Sequence, residues 1–185
     1  MQVIMVSGRA GEGKTTFTKL CVRILAEHDI MAEIVPFSLG VKETASNMGW
    51  DGKKDSRGRK LLQEVGRIGR EYDENLWAEQ AVEQINADLL DSYSIDFIDD
   101  WRFRNEGAVV DKVFDVLKVR IVRPRKFHSL YGTDLYNDLS EVGLPEASNS
   151  RNVHFYDHVV YNLIDIDGLQ RTAEVFVTEV LLPKL

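Results

Sequence analysis

The stretch SGRAGEGKTT, residues 7 to 16, follows directly on the apolar run Val3–Val6 and constrains the fold more than any other feature. Gly8, Gly13, Lys14 and Thr15 stand in the register G-x-x-x-x-G-K-[ST]. Glycines at such a turn let the backbone close around a phosphate without side chains in the way. The inward N–H groups then form an anion nest at a helix N-terminus. Lys14 is placed to reach β- and γ-phosphates, and the Thr15 hydroxyl to ligate Mg²⁺, a hard ion that takes oxygen. A flexible glycine-rich turn with an incidental lysine is the plain alternative, and the flanks argue against it. Met1–Val6 is strand-like, and Phe17, Leu20, Cys21, Ile24 and Leu25 follow at helical spacing. The nucleotide-binding residues are therefore expected to be Gly8, Gly11, Glu12, Gly13, Lys14, Thr15 and Thr16, with ATP and Mg²⁺ as the cofactors.

The rest of the chain bounds what this loop belongs to. A length of 185 residues suggests one domain with a real core. A hydrophobic content of 44% with 29% charged residues describes an ordinary globular protein. The single cysteine rules out an internal disulfide, and Cys21 falls on the apolar face of the first helix. No apolar run reaches membrane-spanning length and no secretory leader is read, so a cytoplasmic protein without a membrane partner is expected. The net charge of −7 argues against a nucleic-acid binder. Anion sites must then come from local groups of Arg and Lys.

Strand and helix patterns alternate, which predicts an α/β fold with a parallel sheet and helices on both faces. Strands are expected at Val3–Val6, Ala32–Phe37, Ser94–Asp99, Lys118–Val122 and His158–Asn162. Helices are expected over 56–72, 74–90 and Asn105–Leu117, and from Asp167 onward. Two segments, Ser38–Asp55 and Arg123–Asp157, show little periodicity. Irregular stretches of that length are natural places for an acceptor-binding region, here 38–90, and a lid-like segment, here 123–157.

The run IDFIDDWRFRNE, residues 95 to 106, begins as a buried strand and ends in charge. Carboxyl ends of parallel strands are where ligands bind, so Asp99 and Asp100 should arrive beside the phosphate loop. Asp100 is the expected second metal residue with Thr15, and Arg102 is expected to neutralise phosphate charge. Asp99, Arg104 and Glu106 are equally well explained by pairing within a polar loop. Further back, Arg59, Gln63, Gly66 and Arg70 share one face of a helix, while Leu61, Val65, Ile68 and Tyr72 share another that should be core. Two arginines and a glutamine on one face suit an anionic ligand with a planar base.

RKLLQEVG (59 to 66), NLWAEQA (75 to 81), DDWRFRNE (99 to 106), VRIVRP (119 to 124) and LSEVGLP (139 to 145) occur in the order found in bacteriophage deoxynucleoside monophosphate kinases, and the chain resembles that family over nearly its whole length. The resemblance implies a P-loop nucleoside-monophosphate-kinase-like fold, a five-stranded parallel sheet of order 2-3-1-4-5. It implies transfer of the ATP γ-phosphate to a deoxynucleoside 5′-monophosphate, by an enzyme of a class in which homodimers are common. Carried over by position, Lys14, Asp100, Arg102 and Arg123 are the catalytic candidates. Arg59, Gln63, Arg70 and Glu106 are the substrate-binding ones. Arg67-Ile68 after Gly66 departs from the family's Thr-Asp-like continuation and bears on the choice of base.

Three rivals stand beside this reading. A kinase of another small metabolite would use the same loop. A nucleotide-dependent switch of the GTPase type would need Asp-x-x-Gly after strand three, where Asp100 is followed by Trp101, Arg102 and Phe103. It would also need Asn-Lys-x-Asp, where Asn162-Leu163-Ile164-Asp165 has no lysine. A non-catalytic nucleotide binder is compatible with the loop alone.

Overall fold

Alternation along β1 (Gln2–Ser7) divides the protein into two layers. Ile4 and Val6 face one way and Val3 and Met5 the other, and all four are fully buried, as expected for a central strand. The computed structural model describes residues 2–88, 94–124, 143–145, 155–163 and 166–185. On the first side α1 (Lys14–Glu27) packs through Phe17, Leu20, Cys21, Ile24 and Leu25. The opposite face is covered by α4 (Leu76–Asp88) and α5 (Arg104–Val110), with Ala78, Ala81, Val82, Ile85, Val109 and Val110 in that core.

The sheet is completed by β2 (Met31–Ile34), β3 (Ser94–Trp101), β4 (Asp115–Val122) and β5 (His158–Tyr161), all parallel, in the order 2-3-1-4-5. This is the α/β architecture expected. The last helix, α6 (Ile166–Val175), widens into a π-helical stretch over Phe176–Leu181 and still buries Leu169, Ala173, Phe176, Val177 and Leu181 against α1. The expected lid-like segment 123–157 lies largely outside the described residues.

Four differences from the sequence expectation each have a physical reason. The helix expected over Asn105–Leu117 ends at Val110, and β4 begins already at Asp115, where it pairs with Gln2. Val113 is half exposed, whereas Leu117 is buried in the α1 layer. Pairing along the whole of β1 outweighs the helical spacing of those valines. The second strand stops at Ile34 instead of Phe37: Pro36 has no N–H to give to a ladder, and the Phe37 amide bonds to Asp100. The segment Ser38–Asp55 is not irregular throughout, since its first ten residues form α2 (Ser38–Asn47).

The fourth difference concerns α3 (Ser56–Tyr72). Ile68 and Tyr72 are exposed, at 56% and 88%, so they are not core. The buried line is Gly58, Val65, Gly66 and Gly69. Trp77 of α4 lies against it and donates its indole N–H to the Gly66 carbonyl at 3.1 Å. A Cβ on Gly69 would run into the Trp77 ring. Val65 is core as expected, with Leu61 packed beside it, but the close approach to Trp77 is made at Gly66 and Gly69, which counting apolar residues does not detect.

Candidate functional site

The loop from Gly8 to Gly13 leaves the carboxyl end of β1, between its neighbours β3 and β4, where the strand order changes direction. In such sheets this is where ligands bind. Gly13 has φ +99°, and a Cβ there would come within 2.7 Å of the Asn162 amide nitrogen, so only glycine fits. Asn162, buried at the end of β5, donates that same amide to the Glu12 carbonyl at 3.0 Å. Glu12 folds back on its own loop: its N–H donates to the Arg9 carbonyl (3.1 Å), and its carboxylate accepts from the Arg9 N–H (2.6 Å). Behind the carboxylate stands Arg120 of β4, buried, 3.8 Å away. The loop is thus held from β4 by Arg120 and from the end of β5 by Asn162.

Lys14 opens α1 and is buried at 9% exposure. Its ammonium donates to the carbonyls of Gly8 (2.6 Å) and Arg9 (3.1 Å). The charge is held over the loop by weak dipoles that a phosphate oxygen readily replaces. The neighbouring Thr15 donates its hydroxyl to Asp99 at 2.6 Å. A hydroxyl and a carboxylate at that distance are the donor set a Mg²⁺ ion takes when it keeps several waters and phosphate oxygens. Among the described residues no group of three or more His, Cys, Asp or Glu side chains could hold a metal ion. Thr16 is exposed on the first turn of α1.

Asp100, expected as the metal residue, is placed differently. Its two oxygens accept from the Phe37 and Ser38 amides at 2.9 and 3.0 Å, so it anchors the start of α2. Asp99, one residue earlier, points to the loop and is buried at 7% exposure. Adjacent strand residues face opposite ways, which is why only one of the pair meets Thr15.

Glu106 closes the turn after β3, accepting the Arg102 and Phe103 amides at 2.9 Å each. Burial pushes its carboxyl up to about 7, with Asp100 adding to the rise; the two amides, and less strongly Arg70, oppose it. Arg70 lays its guanidinium 4.6 Å from the centre of the Phe103 ring, and so ties α3 to the end of β3. Arg59 and Gln63 are exposed on α3. Arg102 and Arg123 are half-buried, the first just past β3 and the second just past β4. The structure thus brings Lys14, Thr15 and Asp99 together at one point. It sets Arg59, Gln63 and Arg70 along the α3 face of the same sheet edge.

Sequence reasoning missed Asn162, Arg120 and Tyr156 as supports of the loop. Tyr156 is buried beside Arg120, whose charge opposes the rise that burial imposes on the phenol. An arginine in the apolar run Val119–Val122 was the one available signal, because a buried charge in a central strand needs a partner.

No family model matches the chain. A curated relative, the uncharacterized protein ORF77 of Ictalurid herpesvirus 1 (strain Auburn), is 29% identical over 140 residues, which make up 76% of this chain and 58% of that protein. The chain thus spans less than two thirds of that relative's length. Among solved structures, the APS kinase CysC of Mycobacterium tuberculosis in complex with AMPPNP and APS is similar with a TM-score of 0.50 and 16% identity over 95% of each chain. Shikimate kinase from Bacteroides thetaiotaomicron gives a TM-score of 0.51 at 13% identity, over 97% of this chain and 98% of that one. Shikimate kinase from Acinetobacter baumannii in complex with shikimate gives 0.50 at 11%, over 100% and 94%. The likeness is one of fold: a five-stranded parallel sheet with helices on both faces.

Proposed function

We propose that the protein is a Mg²⁺-dependent kinase that transfers the ATP γ-phosphate to a (deoxy)nucleoside 5′-monophosphate and releases the diphosphate. The observation that carries the phosphotransfer part is the Thr15–Asp99 pair at 2.6 Å, one residue from Lys14 and at the mouth of the glycine loop. The nucleotide part rests on the sequence resemblance and on the α3 face with Arg59, Gln63 and Arg70.

On binding, the loop amides and α1 N-terminus cradle the phosphates, and Lys14 exchanges two carbonyls for β- and γ-oxygens. Thr15 and Asp99 would hold the metal ion, directly or through its water; bound there, it supplies charge neutralisation across the phosphates. An acceptor phosphate oxygen attacks the γ-phosphorus as the bond to the bridging oxygen breaks, leaving ADP. The acceptor is already anionic near neutral pH, so the reaction needs alignment and charge stabilisation rather than a strong base. Arg102 and Arg123, at the ends of β3 and β4, are the side chains we assign to the transferring group. Asp99 takes over the metal role expected of Asp100.

A second reading, a kinase of another small metabolite, is favoured by the fold shared with shikimate kinase and APS kinase. A coupled ATP-turnover assay with a panel of nucleoside monophosphates, shikimate and APS separates the two. Stimulation by at least one monophosphate supports the proposal, and stimulation by a metabolite alone replaces it.

A further inference from the structure

A carboxylate lies against a loop whose other features suit phosphates. The Glu12 side chain is buried at 4% exposure. One of its oxygens accepts the Arg9 N–H at 2.6 Å, and a Cβ on Gly8 would come within 3.0 Å of that same oxygen. The negative charge therefore sits directly on the loop backbone. A triphosphate in this loop brings several more negative charges, and charges buried this close are poorly screened.

Among the described residues Arg120 is the cation that pairs with Glu12. The nearby Lys14 ammonium is engaged by the Gly8 and Arg9 carbonyls, and its charge is the one that bound phosphates would draw. Arg120 stands in β4 opposite Ser7, the residue that leads into the loop. Its side chain is 7% exposed, and its Nη2 lies 3.8 Å from the Glu12 carboxylate. That separation is too long for a hydrogen bond. The Tyr156 ring lies 6.0 Å from the guanidinium carbon, and Arg120 Nε has no hydrogen-bond partner among the described residues. A guanidinium kept as a geometric clamp would have its donors matched. Burying one with a donor unmatched is costly, and the charge of a neighbouring carboxylate offsets that cost. What reaches Glu12 is the charge of Arg120 and not a fixed hydrogen bond.

We propose that Arg120 is a positioning residue of the phosphate loop that acts through Glu12: its charge cancels the buried carboxylate, so that the loop stays an anion site while Glu12 keeps hold of the Arg9 amide. The inference rests on the nucleotide-binding part of the reading above. The two effects of Glu12 are separable. Its oxygen shapes the loop, and its charge opposes phosphate. Glu12→Gln keeps an oxygen for the Arg9 N–H and removes the charge.

The test measures binding by calorimetry, with Mg²⁺ and a non-hydrolysable ATP analogue as one probe and inorganic tripolyphosphate as the other. Arg120→Met should weaken both probes by about 10-fold or more, because the carboxylate is left uncompensated. Arg120→Lys should stay within about 3-fold of the parent, since it keeps the charge. Glu12→Gln should bind both probes about 3-fold or more tighter than the parent, and the double variant Glu12→Gln/Arg120→Met should recover to within about 3-fold of the parent. A purely structural clamp predicts the opposite pattern: Lys fails as Met does, and removing Glu12 as well restores nothing. That pattern, or a Glu12→Gln protein that binds no tighter than the parent, overturns the proposal. If Arg120→Met does not fold, the Glu12→Gln and Arg120→Lys proteins decide by themselves. The outcome is separable from that of the kinase reading. The expected pattern in a protein that phosphorylates no monophosphate keeps the role of Arg120 and removes that reading. Transfer to a monophosphate with probe binding unmoved in Arg120→Met and Glu12→Gln does the reverse.

Discussion

The glycine loop and the α3 face sit at the same sheet edge but are built in opposite ways. The loop's functional groups are buried and held from outside: Asn162 grips the Glu12 carbonyl, Arg120 backs its carboxylate, and Lys14 spans two loop carbonyls. On the acceptor side the backbone is what is buried. Gly66 and Gly69 pack under Trp77, while Arg59 and Gln63 project from the exposed face. A triphosphate presents the same geometry to every such loop, so rigidity suits it. An acceptor must be admitted and released, and side chains at the surface suit that.

The strongest way to break this contrast is at Lys14. Lys14→Met keeps length and packing but removes the charge, and should lower turnover by about 10²-fold or more while the thermal melt changes little. A folded Lys14→Met protein with near-normal turnover would mean that the loop is not the phosphate site.

The next effect separates the two adjacent aspartates. Asp99→Asn should lower turnover by roughly 10²-fold and raise the Mg²⁺ concentration needed, because it alters the group that meets Thr15. Asp100→Asn should act mainly on stability, losing about 1 kcal/mol as one of two amide acceptors becomes a donor. Parallel melts and Mg²⁺ titrations decide it, and reversed phenotypes would return the metal role to Asp100.

These two residues show what was legible in the sequence. The loop was readable because its chemistry demands backbone conformations that only glycine supplies, at fixed spacing. That the charged end of β3 would reach the loop was readable too, from the rule that ligands lie at strand ends. Which aspartate faces Thr15 was not, because it depends on the parity of the strand, and a shift of one residue exchanges the faces. Half of the core stripe of α3, Ile68 and Tyr72, was misjudged for a related reason, while Val65 and Leu61 pack as expected. Ile68 and Tyr72 carry the apolar pattern, but helix approach is governed by Gly66 and Gly69, which have no side chain to count. Asn162 and Arg120 could not be joined to Glu12 by any local pattern, since each lies more than a hundred residues away.

Smaller effects sharpen the same division. Gly69→Ala should cost about 2 kcal/mol or more by forcing α3 from Trp77, whereas Tyr72→Ser on the exposed face of the same helix should stay within about 0.5 kcal/mol. Denaturant melts of both variants check this.

Glu106 gives a pH signature. Its folded carboxyl titrates at about 7 against an ordinary value of 4.5. Between those values the folded state holds a proton that the unfolded state has lost, so stability falls as pH rises through this window and levels off above it. Glu106→Gln can still accept the Arg102 and Phe103 amides and removes the ionisation. Its stability relative to the parent should therefore rise from about pH 5 to about pH 7.5. A relative stability that does not change with pH would mean that the carboxyl titrates normally.

The most direct test of the central claim follows the phosphate itself. ATP radiolabelled at the γ-position is incubated with Mg²⁺, the protein and each nucleoside monophosphate in turn, with the Lys14→Met protein as control. The account predicts label in the corresponding diphosphate, formed only with active Lys14. Label found solely as inorganic phosphate, whichever monophosphate is supplied, would contradict it.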